Sequence, residues 1–134
     1  MNQEIRVSQK AIIVNNEGKI LVLRRNKTAL SGPLSWDLPG GGLDFGEDAH
    51  KGIIREIKEE TGLDVTKLKI LDVSSGFNEL KEFWFTACYL IVAKNSDIKI
   101  SNEHDSFEWV LPKDIQKLNM PVSFKNFAKT FENK

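Results

Sequence analysis

The chain has 134 residues and a mass of 15.2 kDa, the length of one domain. Lysine plus arginine and aspartate plus glutamate each total 19, so the formal charge is zero, and 40% of the residues are hydrophobic. These values exclude a disordered chain, a collagen-like chain and a polybasic nucleic-acid coat. A chain of this size can bury a core without disulfides. Its single cysteine, Cys88, cannot form an intrachain bridge, which suits a reducing, cytoplasmic compartment. Residues 1–6 hold no apolar signal core. No apolar run approaches the roughly 20 residues that a membrane span needs.

In chain order, residues 5–14 and 19–23 read as two strands around the turn Asn15-Asn16-Glu17-Gly18, a β-hairpin. Residues 26–35 read as a loop. Trp36-Asp37-Leu38 is a short strand at most, and Pro39-Gly40-Gly41-Gly42 should break regular structure. From Glu47 to Thr61 the pattern turns helical, with His50, Ile53, Ile54 and Ile57 on one stripe. Glu47 and Asp48 fall in its first turn, where the helix dipole favours acids. Gly62 is placed as its C-cap. Strands follow at 68–73, at 82–92 (a long central one) and at 106–110. Pro112 opens a short helix, and the spacing of Phe124, Phe127, Ala128 and Phe131 predicts another over 122–132. The order predicts an α+β fold, a mixed sheet with helices packed on it, as a single domain over residues 1–134.

On a helical wheel at about 100° per residue, Glu56, Glu59 and Glu60 gather on a face away from the isoleucine stripe. Lys51 and Lys58 fall on the far side, so the acids need an outside cation. Mg²⁺ is commonly held by one or two carboxylates plus substrate phosphates. Ala49 and Gly52 share the acidic face and leave room beside it, for metal and ligand. Gly40-Gly41-Gly42 lets backbone approach a ligand closely. Acids on one helix face also suit a solvated surface, and a glycine run suits a tight turn. The residues alone leave both readings open.

The combination decides more than its parts. Gly41, Glu47, Arg55-Glu56-Ile57, Lys58, Glu59-Glu60, Thr61, Gly62 and Leu63 stand at the spacing of a complete Nudix box over residues 41–63. Trp36-Asp37-Leu38-Pro39-Gly40 resembles the approach to that box, and Glu103-His104 with Trp109-Val110 resembles a later family segment. The resemblance implies a Nudix fold, a mixed sheet sandwiched between helices. It implies Mg²⁺-dependent hydrolysis (Mn²⁺ as a substitute) of a nucleoside diphosphate linked to another group. It makes Glu59 and Glu60 metal ligands, Glu56 a ligand or the water-activating base, and the Gly41 carbonyl part of the metal shell. Arg55 and Glu47 look like the pair that orients the helix glutamates. Glu103 becomes a further ligand or the general base, with Glu79 and Glu82 as weaker candidates. Arg24 and Arg25, near Lys27, resemble residues that meet substrate phosphates, together with Gly41 and Gly42.

His104 reads as structural or exposed rather than catalytic, His50 as a boundary residue of the helix's sheet-facing stripe, and Cys88 as buried and inert. Trp36, Phe77, Phe83 and Phe85 are candidates for a base-stacking platform, although strand aromatics are usually core. About 16 residues beyond the box, Glu79-Leu80-Lys81 holds neither the proline associated with ADP-ribose hydrolases nor the tyrosine associated with dinucleoside polyphosphate hydrolases. The resemblance therefore leans to a MutT-like enzyme cleaving a (deoxy)nucleoside triphosphate to the monophosphate and pyrophosphate. ADP-ribose, nucleotide-sugar or dinucleoside-polyphosphate hydrolysis, and metal-dependent nucleotide sensing without catalysis, are the alternatives. A small nucleotide is the expected partner, without nucleic-acid polymer or membrane, and a homodimer is left open. Residues 41–63 carry six acids against three bases, and residues 1–40 carry six bases against three acids. The neutral total thus divides into an acidic site and a basic approach to it.

Overall fold

The computed structural model describes residues 3–134. Seven strands and three helices follow one another as β1 (Ile5–Val14), β2 (Ile20–Arg25), β3 (Trp36–Asp37), β4 (Gly40–Gly42), α1 (Ala49–Thr61), β5 (Lys69–Phe77), β6 (Phe83–Val92), β7 (His104–Val110), α2 (Pro112–Ile115) and α3 (Val122–Glu132). The sheet is mixed. β6 runs parallel to β1 over its whole length, and the other strand pairs are antiparallel. No helix among the described residues is long and apolar enough to cross a membrane.

β1 and β2 each pair with three strands, and β1 is the one that meets β4. It pairs with β6 along one edge; on the other it pairs with β4 at Ser8–Lys10 and with β2 at Val14. β6 is interior, between β1 and β5, and β5 closes that edge. Alternating side chains on a strand point to opposite faces, and both faces of this sheet are covered. Ile12, Val14, Ile20 and Val22 pack with Ile115, Phe127 and Ala128 from α2 and α3. Ala11, Ile13, Leu21 and Leu23 pack with Ile53 and Ile57 from α1. That explains the unbroken apolar runs Ala11–Val14 and Ile20–Leu23, which would alternate if one face were wet.

The hairpin forms as its turn chemistry requires. The Asn15 side chain accepts from the Glu17 and Lys19 N–H groups, both at 3.0 Å, and Gly18 takes φ +73°, a conformation that glycine adopts without strain. Two later strands exceed their expected bounds, β5 reaching Phe77 and β7 starting at His104.

Gly40-Gly41-Gly42 corrects an expectation. It does not break regular structure but forms β4, paired with Ser8, Gln9 and Lys10 of β1. Gly40 sits at φ +129°, and a Cβ there would lie 2.0 Å from the Gln9 carbonyl oxygen. Only glycine permits this approach. Gly40→Ala should therefore destabilise the fold. The strained φ alone costs about 1–3 kcal/mol, and displacement of β4 adds to that. Chemical denaturation of the variant checks this; a loss below about 1 kcal/mol would show that β4 can move away freely.

Candidate active site

Helix α1 is bounded by its own sequence. The Asp48 carboxylate accepts from the Lys51 N–H at 3.0 Å as N-cap, so both Asp48 and Glu47 precede the helix rather than lie in its first turn. Gly62 closes the helix in the left-handed conformation at φ +78°. Ile53 and Ile57 are fully buried against the sheet, which turns Glu56 and Glu60 toward β4.

The three glutamates meet different surroundings. Glu60 is only 6% exposed, and its Oε1 accepts from the Gly40 N–H at 2.8 Å. Burial pushes its pKa up to about 7, against the pull of Lys10 and the Gly40 N–H. Glu56 lies against Gly41, where a Cβ would come within 3.1 Å of its carboxylate. Burial, opposed by Arg55, raises its pKa too, and the charges of Glu59 and Glu103 add to the rise. Glu59 is exposed and turned aside, both of its oxygens accepting from Arg55 Nη1 at 3.2 Å.

Arg55 links most of this face. Its guanidinium also donates to Glu47 at 2.8 Å and lies 3.3 Å from Glu56, and it holds the Glu47 carboxyl below its usual range. The acids thus have one cation of their own. An (i, i+4) neighbour was the local partner that the lysine count overlooked. Gly52 also finds a different explanation. A Cβ there would lie 2.8 Å from the Glu47 carboxyl carbon, so its bareness admits Glu47 rather than a metal or ligand.

The opposite wall comes from β2, β3 and β7. Arg24 and Arg25 are neighbours on a strand, so they point to opposite faces. Arg24 turns outward and pairs with Asp105 at 2.8 and 3.1 Å. Arg25 turns inward to Asp37 at 3.2 Å and to the Ser31 carbonyl at 2.7 Å. Asp37 is buried and also receives Lys10 Nζ at 3.0 Å. Burial would raise the Asp37 pKa, but Lys10, His104 and Arg25 together hold it well below the carboxylate range. The β2–β7 register shifts at Arg24/Arg25, so that Arg25 stands opposite His104. This bulge leaves Asp105 out of the pairing and delivers His104, with Glu103 beside it, to the cleft.

The result is a cleft of about 620 Å³. Gly40, Gly41, Gly42, Glu56 and Glu60 line one side, and Lys10, Arg25, Asp37, Glu103 and His104 line the other. Arg24 and Glu59 are outside it, as are Glu79 and Glu82; Glu82 pairs with Arg6 at 2.9 Å. None of Trp36, Phe77, Phe83 and Phe85 lines it either. Cys88 is fully buried in the core, its thiol pushed up to about 12 by that burial. His50 packs edge-on against Tyr89. His104 also faces the cleft. It is buried, and it offers a donor atom within 4.8 Å of those of Glu60 and Glu103. Its adjacency to Glu103 in the sequence was the available signal.

These residues fit a divalent cation. A Glu60 oxygen, a Glu103 oxygen and a His104 nitrogen lie within 4.8 Å of one another, and burial raises the pKa of two carboxylates, Glu56 and Glu60. A cation between them would relieve that cost.

The NUDIX domain family model matches residues 4–131. The chain belongs to the NUDIX family. The Nudix box expected at residues 41–63 is thus the segment comprising β4, α1 and their connection, and the fold is the Nudix fold. Among solved structures, the MutT protein from Methanosarcina mazei Go1 has a TM-score of 0.90 and 28% identity, covering 99% of this chain and 96% of that one. A protein from Sphingopyxis alaskensis named RNA pyrophosphohydrolase is 29% identical over 82% of this chain and 80% of its own. The nucleoside triphosphatase NudI from Escherichia coli is 27% identical over 83% and 86%. The chain is a MutT-like Nudix hydrolase, acting on phosphorus anhydrides as a pyrophosphohydrolase.

The raised pKa of Glu60 has a consequence for stability. The native state keeps its proton to about 7, while the unfolded chain releases it near 4.5. Its contribution is therefore full below about 4.5 and lost as pH rises through about 7. Without divalent cations, Glu60→Gln should gain stability relative to the wild type as pH rises across that window, and added Mg²⁺ should close the gap. Thermal unfolding at several pH values measures it; a gap that stays constant would show that Glu60 ionises normally in the fold.

Proposed function

We propose that this Nudix hydrolase cleaves nucleoside triphosphates to the monophosphate and pyrophosphate in the cytoplasm, with Mg²⁺ as its cofactor and Mn²⁺ as a substitute. The observation that supports this most is the charge layout of the cleft. Lys10 and Arg25 line the same cleft as Glu56, Glu60 and Glu103, and no phenylalanine, tyrosine or tryptophan among the described residues lines it. A cleft built this way grips a polyphosphate more than a base.

A bound divalent ion neutralises the polyanion and lowers the pKa of water. Glu60, fixed by the Gly40 N–H, and Glu56, packed on Gly41, are held ready to face it, and Glu103 comes from the other wall. Glu56 or Glu103 takes the proton from the attacking water. The water oxygen bonds to the attacked phosphorus as its bridging P–O bond breaks, and the departing phosphate group leaves with that bond's electron pair. Arg25 meets the phosphate chain and is itself oriented by Asp37 and Ser31. Arg55 and Glu47 hold Glu56 and Glu59 in place, and Glu59 would serve as a metal ligand only if freed from Arg55. The Gly41 carbonyl and the Gly42 backbone lie where the phosphates pass.

The test is a panel with Mg²⁺: nucleoside triphosphates, ADP-ribose, a nucleotide sugar, a dinucleoside polyphosphate and a 5′-triphosphorylated RNA. The RNA is included because one relative is named for that activity. Pyrophosphate release should be fastest from a nucleoside triphosphate. Metal-dependent binding without turnover of any member would favour a sensor. Glu60→Gln should lower kcat by at least about a hundredfold, the scale of losing a positioned charged group; near-wild-type turnover would remove Glu60 from the metal site.

The two arginines should separate. Arg25→Ala should raise KM for the triphosphate about tenfold, the worth of one charge-assisted contact. Arg24→Ala should change KM less than about twofold, since the residue faces away. Equal effects in steady-state kinetics would reverse that assignment.

A further inference from the structure

His104 is an unexplained group in the cleft. Its side chain is 3% exposed, and its Nδ1 is buried with no hydrogen-bond partner. An unpaired buried ring nitrogen is costly and asks for a reason. The ring's other nitrogen, Nε2, lies 3.6 Å from Asp37 Oδ2, and Asp37 is itself fixed by Lys10 and Arg25. Metal-binding histidines characteristically give one ring N–H to a carboxylate and turn the other nitrogen to the ion. Here Nε2 faces the carboxylate at a distance longer than a hydrogen bond, and Nδ1 has no partner at all. The His104 donor, a Glu60 oxygen and a Glu103 oxygen lie within 4.8 Å of one another. An ion about 2.1 Å from each donor sets donor spacings of roughly 3–4 Å, so a small side-chain rotation closes the set.

We infer that His104 is a nitrogen ligand, Nδ1 completing with Glu60 and Glu103 a mixed nitrogen–oxygen site for a divalent transition metal. The inference rests on the proposed metal-dependent reading of the cleft and changes its metal selectivity. A site of carboxylates alone suits Mg²⁺ and Mn²⁺; an imidazole ligand raises affinity for Co²⁺ and Ni²⁺ far more than for Mg²⁺. The burial of Glu60 and His104 on opposite walls, joined through Gly40 and Asp37, holds the geometry before any ion arrives.

The decisive measurement is electron spin-echo spectroscopy of the full chain loaded with Mn²⁺, read for coupling to ligand nitrogen. The wild type should show it and His104→Gln should not. His50, the chain's other histidine, sits beside Tyr89 outside the cleft and should be silent, so His50→Gln should retain the signal. In calorimetric titrations, His104→Gln should weaken Co²⁺ binding by roughly tenfold or more, a scale set by changes around metal-bound histidines, and change Mg²⁺ binding less than about twofold. Bound Mn²⁺ without nitrogen coupling in the wild type overturns the inference, whether or not the variant folds, and leaves the hydrolase reading intact if nucleotide is still turned over. Equal loss of Co²⁺ and Mg²⁺ binding in His104→Gln, with circular dichroism unchanged, also overturns it. Failure of the wild type to bind any divalent ion removes this inference and the metal-dependent reading together.

Discussion

The buried ion pair between Lys10 and Asp37 governs the geometry of the cleft. Lys10 Nζ reaches Asp37 at 3.0 Å, the Leu38 carbonyl at 3.1 Å and the Gly40 carbonyl at 3.3 Å. One ammonium thus gathers three points of the chain between β3 and β4. Such pairs seldom add net stability, but losing one partner leaves an uncompensated buried charge, at about 3–5 kcal/mol. The pair also acts beyond itself. Asp37 steadies Arg25 and faces His104, while Gly40, tied from its carbonyl by Lys10, gives its N–H to Glu60. The cationic wall and the acidic wall are therefore referenced to the same lysine.

Electrostatics within the site divides its carboxylates by role. Asp37 is buried among cations and is kept ionised. Glu60 is buried with weaker compensation, and its charged form is disfavoured. Glu59 is exposed and satisfied by Arg55. Three acids on one chain end up as a structural anion, a group awaiting a cation and a solvated partner. Their environments, not their chemistry, make the difference.

Much of this was legible in the sequence. Isoleucine spacing located α1, Asn15 and Gly18 located the hairpin, and the box residues marked the acidic face. The length of chain from Gly41 to Leu63 carries a local rule at nearly every position, so local reading succeeds there. What could not be read depends on contacts distant in sequence. β4 exists because β1 lies beside it, 30 residues away in the Lys10–Gly40 bond. Gly52 is bare because Glu47 folds back over it. The separation of Arg24 from Arg25 follows from strand alternation, but which one faces the cleft depends on a bulge against β7. His104 reaches the cleft across the same bulge, at the position that pairs with Arg25.

The two loops over the cleft are stitched together by a single residue. Asn26 receives the Thr28 N–H on its side-chain oxygen, donates its side-chain amide to the Asn102 carbonyl at 2.6 Å, and donates its own N–H to the Glu103 carbonyl at 3.2 Å. Past this joint, residues 27–34 form a lip whose Leu30 side chain is fully exposed and which makes few ties to the layer below. Thr28, Ala29 and Leu30 of the lip line the same cleft as the acids and cations beneath them. Drift in the lip's length or composition can retune which leaving groups enter, while the floor of acids and cations stays as it is. A lineage built on this plan has room to change its diet without reinventing its catalyst.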